Sequence, residues 1–169
     1  MGMTPHQFFE SFVQGNYLDA LQNPGCVRRA FNAAISASHL ADHYFTYFDV
    51  HDRSIISGFK RIGDFVEHIS KRTNGSFRDI RSIANAYKHL YTSRDPKKAV
   101  HSSVSSTLAI ESIEWTAKSS EVSKIEEEWI SDPKGDAHKS KVVFTRKDGK
   151  QLDFLPVLKN VIEYWEKIL

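Results

Sequence analysis

With 169 residues, 40% of them apolar and 12% aromatic, the chain holds enough material for one well-buried core without disulfide or metal staples. Its 23 basic and 21 acidic residues leave a formal charge of +2, which argues against a nucleic-acid binder dominated by phosphate contacts across its surface. Cys26 is the only cysteine, so no intrachain disulfide can form and a reducing, cytoplasmic setting is expected. The opening MGMTPHQFF has no basic region ahead of an apolar core and, with His6 in the place of Ser or Thr, does not fit a myristoylation signal. No stretch approaches the ~20 apolar residues that span a bilayer, so no membrane association is expected.

In chain order, Thr4, Pro5 and Gln7 form a helix start, with a capping hydroxyl, a proline at the first helical position and a side chain able to close a capping box. Phe8, Phe9, Phe12, Val13 and Leu21 follow as an apolar stripe, stopped by Asn23-Pro24-Gly25. A second helix is expected over 27–48, where Ala30, Ala34, Ala37, Ala41 and Phe48 share a narrow face of small residues that lets another helix come close. A third is expected over 54–72, with Ile55, Phe59, Ile62, Phe65, Val66 and Ile69 inward, and Thr73-Asn74-Gly75 ends it. Ser76, followed by Asp79, opens a fourth that reaches Tyr91.

The character changes after Asp95-Pro96. Residues 101–117 are rich in Ser, Thr, Val and Ile and read as extended. Leu108 and Ile110 alternate in one phase and Ile113 and Trp115 in the other, which places a bulge between them. Residues 121–130 fit a helical turn or an irregular strand equally, and PKGDAHKSK reads as a loop. Two β runs, Val142 to Arg146 and Gln151 to Leu155, flank Lys147-Asp148-Gly149-Lys150 and predict a hairpin. Pro156 then opens a last helix whose inward stripe is Val157, Leu158, Val161, Ile162, Trp165 and Ile168. The expected fold is α+β, mainly α, in one domain over 1–169: a four-helix bundle over 1–95, then a small antiparallel sheet and a closing helix over 96–169.

The polar residues carry the functional reading. On the fourth helix Arg78, Arg81, Asn85, Lys88 and His89 fall within an arc of about 100°, with Arg81, Asn85 and His89 each one turn apart. A face that only meets water is usually filled with Glu, Lys and Gln, because Asn and His are poorer helix formers. The second helix repeats the pattern with Arg28, Asn32, Ser36, His39, Asp42 and His43 opposite its alanines. Two readings stay open for such stripes: the solvated face of an amphipathic helix, or groups that bond to each other, to a second chain or to a ligand.

The segment RDIRSIANAYKHL resembles the signature of HEPN domains, helical bundles marked by an Arg, four to six residues, then a His, often with a polar residue just after the Arg. The preceding FNAAISASHLADHYF is similar to a bundle helix of bacterial HEPN-like proteins, so the resemblance covers about residues 27–91. It implies a homodimer that brings two motif helices together and, in active members, RNA cleavage by the Arg and His without a metal. Asn85 and His89 match the polar residue and the His, whereas Ala84 stands where the Arg belongs. Arg81 and Arg78 are the nearest arginines, with seven and ten residues before His89. If the site is used, His89 takes the 2′-OH proton, Arg81 or Arg78 holds the phosphate and Asn85 orients either, with no cofactor. Arg78, Lys88, Arg28, Asn32, His39 and His43 are the remaining candidate binding residues.

Three functions follow as expectations. The first is an RNA-associated HEPN-like protein, weakly active or non-catalytic. The second is a homodimeric binding or scaffold domain without activity. The third is a metal protein in which His39 and His43, four apart on one helix, are joined by His68 or His89. No metal is expected, because the His39/His43 pair lacks evident further ligands in the sequence.

Overall fold

The computed structural model describes residues 2–92, 110–116, 141–146 and 148–169, without the side chains of 87–92 and 110–116. The fold is α+β, mainly α, with a three-stranded antiparallel sheet and a closing helix. The first helical stretch is α1 (Pro5–Phe8), a π-helical turn (Phe9–Gln14) and α2 (Gly15–Gln22). It is followed by α3 (Val27–His51), α4 (Ile62–Arg72), α5 (Ser76–Thr92), β1 (Ile110–Thr116), β2 (Lys141–Arg146), β3 (Gln151–Asp153) and α6 (Phe154–Ile168). The expectations for 101–109, for the ambiguous 121–130 and for the loop over 133–140 fall outside the described residues.

The start of α1 follows the sequence signal. Thr4 Oγ1 accepts from the Gln7 backbone N–H at 3.2 Å, and Gln7 Oε1 accepts from the Thr4 N–H at 2.9 Å, so both halves of the capping box are made. The apolar stripe does not continue as expected. Phe9 and Val13 are buried, but Phe12 is 46% and Leu21 43% exposed. The wider i→i+5 turn advances each residue through less angle than an α turn, so Phe12 falls further round from the buried direction of Phe9.

α3 is the central helix. Ala30, Ala33, Ala34, Ala37 and Ala41 are all buried, and α1, α2, α4, α5 and α6 contact this helix. The continuous third helix expected over 54–72 is broken in two. A 3₁₀ turn (Arg53–Ile56) begins on Asp52, whose carboxylate accepts from the Ser54 N–H at 3.2 Å. Ser57-Gly58 are poor helix formers, and the Arg53 guanidinium donates to the Phe59 carbonyl at 2.8 Å, satisfying backbone freed by the break. α4 then restarts with Asp64 accepting from the Arg61 N–H at 3.1 Å. The break leaves Ile55 exposed and sinks Ile56 completely.

Between α4 and α5 the chain reverses through Asn74 (φ 51°) and Gly75 (φ 86°), left-handed conformations that Asn and Gly tolerate best. Thr73, rather than Ser76, caps α5, its buried hydroxyl accepting from the Phe77 N–H at 3.1 Å. Asn160 of α6 braces the same turn, donating to the Thr73 carbonyl at 2.9 Å and to Ser76 Oγ at 3.0 Å.

The sheet runs β1-β2-β3, with a register shift between Ile110 and Ser112 where the sequence changes phase. The β2–β3 hairpin turns at Asp148-Gly149, with the Gly149 N–H on the Arg146 carbonyl at 2.8 Å and Gly149 at φ 80°. Beyond the apolar packing of Val142 and Phe144, two hydrogen-bonded contacts among the described residues fix β2 to the bundle. The Val142 N–H donates to the Pro24 carbonyl at 2.9 Å, and Arg146 grips the nearly buried Asp79 of α5 through Nε, at 3.0 and 3.2 Å, and Nη2. That hydrogen-bonded carboxylate holds the Arg146 guanidinium protonated above even its usual range. α6 starts two residues before Pro156, at Phe154, which fits a proline because N–H groups of the first turn need no intrahelical acceptor. Of its expected stripe, Leu158, Val161, Ile162 and Trp165 are buried, while Ile168 is 37% exposed. Trp165 sits against Tyr44 (5.7 Å between ring centres), Tyr164 (5.5 Å) and Phe65 (6.4 Å).

Truncating either of two fully enclosed side chains should be costly. Ile83→Ala should lose about 2–5 kcal/mol and Trp165→Ala about 3–5 kcal/mol, whereas exposed Ile55→Ala should change stability by about 0.5 kcal/mol or less. Urea titrations of the three variants check this; equal midpoints would mean the core is elsewhere. Asp79→Ala strands the Arg146 guanidinium at the edge of the bundle and should cost about 3 kcal/mol in the same assay.

Candidate functional site

The two polar stripes read from the sequence lie on neighbouring helices, because the alanine face of α3 lets α5 pack closely. They are joined by an ion pair. Arg81 of α5 donates through Nη1 and Nη2 to the two carboxylate oxygens of Asp42 on α3, each at 3.2 Å. The side chains are 29% and 42% exposed, so water screens the pair and its value lies in fixing geometry. Arg78, one turn earlier and exposed, lies 3.5 Å from Glu67 of α4, which also sits 3.8 Å from Lys71. Both arginines that could reach a phosphate therefore have a carboxylate neighbour.

Asn85 is half-buried on α5, one turn beyond Arg81. Lys88 and His89 belong to the same helix, and their side chains lie outside the described residues. Ala84, at the position the HEPN pattern gives to Arg, is 5% exposed and packed in the core, so an arginine there would enter the apolar interior of the bundle.

On α3 the stripe divides. Ser36 is buried and donates to the Ala33 carbonyl at 3.1 Å, a local bond within the helix. His43 is held with Nε2 2.9 Å from the Met3 carbonyl oxygen, its ring 5.1 Å from that of Phe8 and 6.3 Å from that of Tyr47. Arg28, Asn32 and His39 are exposed along the outer edge. Asn32 and His39 line a shallow groove of 270 Å³ between α3 and the first helical stretch. His39 and His43 thus turn to different surroundings, and His68 on α4 packs against Phe59 at 5.0 Å. Among the described residues, no three His, Cys, Asp or Glu side chains gather as a metal site would require.

A second depression, of 530 Å³, lies at the α4–α5 turn and is lined in part by Lys71, Arg78, Asp79, Arg146 and Asp148. Its charges are largely met from within, by the Asp79–Arg146 pair and by Glu67 beside Lys71 and Arg78. The backbone N–H groups of Asn74, Gly75, Ser76 and Phe77 are all bonded within the turn, so these four are not available to an anion there. Sequence reasoning missed the Asp79–Arg146 pair, since Asp79 reads as an ordinary first-turn acid. It also missed the contribution of Phe12 and Asn16 to the groove, since Phe12 reads as a core residue.

The Arg81–Asp42 pair can be measured directly. Arg81→Ala and Asp42→Ala should be non-additive, with a coupling of about 0.5–1 kcal/mol from a double-mutant cycle in urea. Additive losses would mean that the two side chains do not interact in solution.

No family model, no curated protein and no solved structure matches this chain.

Proposed function

We propose that this chain is a HEPN-like helical domain that associates with RNA without cleaving it, in the reducing interior of the cell. The observation that carries the non-catalytic half is the bidentate Arg81–Asp42 pair. Metal-free RNA cleavage needs a cation free to meet charge growing on the phosphorane. Arg81 approaches that task already neutralised, Arg78 has Glu67 beside it, and the position next to Asn85 is an alanine facing the core. Association is supported by the exposed edge of α3, where Arg28, Asn32 and His39 offer a cation and hydrogen-bonding groups. With a formal charge of only +2, binding should be weak and sensitive to salt.

A homodimeric scaffold is the second reading, favoured by Leu18 at 54% and Leu21 at 43% exposure on α2, apolar surface that a second copy would cover. A dimer is compatible with RNA association, so the two readings share an experiment.

Fluorescence anisotropy with a labelled single-stranded RNA in EDTA should give a dissociation constant of about 10⁻⁴–10⁻⁶ M that weakens as salt rises, and the RNA should be recovered intact. Cleavage in EDTA that disappears in both His89→Ala and Arg81→Ala would make the protein a ribonuclease and overturn the proposal. No binding at low salt, with a dimer in sedimentation that Leu18→Glu dissociates, would leave the scaffold reading in its place.

A further inference from the structure

The groove between α3 and the first helical stretch combines three independent features. The first is backbone. A six-residue π-helical segment is rare, and such segments collect at functional sites because the wider turn re-aims a side chain. Here it turns Phe12 out of the core to 46% exposure, beside Phe8 at 5.2 Å between ring centres. The second is hydrogen-bonding capacity. Asn16 on α2 and Asn32 on α3 both line the groove, and among the described residues neither amide has a hydrogen-bond partner. The third is charge. Among the described residues no carboxylate lines the groove, and exposed Arg28 stands one helical turn from Asn32 on α3.

We infer that this groove receives a single nucleobase of an RNA strand, stacked on Phe12, with the Asn16 and Asn32 amides at its hydrogen-bonding edge and Arg28 at the neighbouring phosphate. The inference rests on the RNA-association reading and gives it a surface. At 270 Å³ the groove falls just below the range of about 300–1,000 Å³ typical of sites for drug-sized ligands, which suits one ring system rather than an extended chain. A primary amide offers both a donor and an acceptor, so two of them can meet the edge of any base. Single-stranded RNA is commonly held in this way, by aromatic stacking with edge contacts to unpaired bases. An apolar peptide side chain would fill the floor of Phe8, Phe12 and Ile35 but bring no anionic group to Arg28.

The test compares three probes on the intact chain: a labelled single-stranded RNA, an abasic oligomer of the same length, and AMP followed by amide chemical shifts. The RNA should bind more tightly than the abasic oligomer. Phe12→Ala should weaken RNA binding about fivefold or more, Phe12→Tyr should retain it, and Asn32→Ala should weaken it by about threefold. Lys60→Ala, an exposed change elsewhere, should bind like the parent, and circular dichroism checks that each variant stays folded. AMP should shift the signals of Phe12, Asn16 and Asn32. If RNA binds equally well to the parent, Phe12→Ala and Asn32→Ala, the groove assignment is overturned while RNA association stands. If RNA does not bind but AMP shifts the groove signals, the RNA reading falls and with it the RNA strand as occupant, leaving a groove that takes a free nucleotide. Silence from all three probes overturns both.

Discussion

The bundle depends on the absence of bulk along one side of α3. Five alanines, at positions 30, 33, 34, 37 and 41, lie buried on this helix, and with side chains this short the backbones of its neighbours can approach closely. Larger residues at α3 would hold α5 away, and Ile80 and Ile83 would then stand over gaps instead of packed surface. The larger hydrophobes come from the other elements. Phe65 and Ile69 from α4, Phe77 from α5, Phe144 from β2 and Trp165 from α6 all belong to the same core cluster.

Close packing has a consequence for the polar edges of the same helices. Once α3 and α5 are in contact, Asp42 and Arg81 reach each other directly, so part of a stripe that looks chemical in the sequence has a structural use. The same holds at the sheet. Arg146 reaches Asp79 from β2, and Asn160 reaches the α4–α5 turn from α6. These bonds add direction to apolar contacts that have none, and each pins a late segment of the chain onto the early bundle. Among the described residues, the outer edge of α3, with Arg28, Asn32 and His39, stays outside this network, and there the groove lies.

Much of the fold was legible because local rules and tertiary demands agreed. The Thr4 capping box, the stop at Asn23-Pro24-Gly25, the Asp148-Gly149 hairpin and the phase change near Ile110 are each set by a few adjacent residues. The misreadings share a cause. Residues 54–72 have a helical apolar pattern, yet local side-chain bonds from Asp52, Arg53 and Asp64 sustain a break that periodicity cannot register. Phe12 fits the stripe of an α-helix, and only the wider π turn takes it out. For the candidate site, the grouping of polar residues on two helices was readable, but their division was not. Asp42 and Arg81 are 39 positions apart, and nothing near either one names the other.

Trp165 closes the interior from α6, fitting between the rings of Tyr44 and Phe65 that α3 and α4 present to it. A ribosome lays down those two helices long before the tryptophan emerges. During that interval the nascent bundle holds an open apolar socket, filled only when some hundred further residues have been added. In that interval the growing chain presents this apolar surface to chaperones and to its own copies on neighbouring ribosomes.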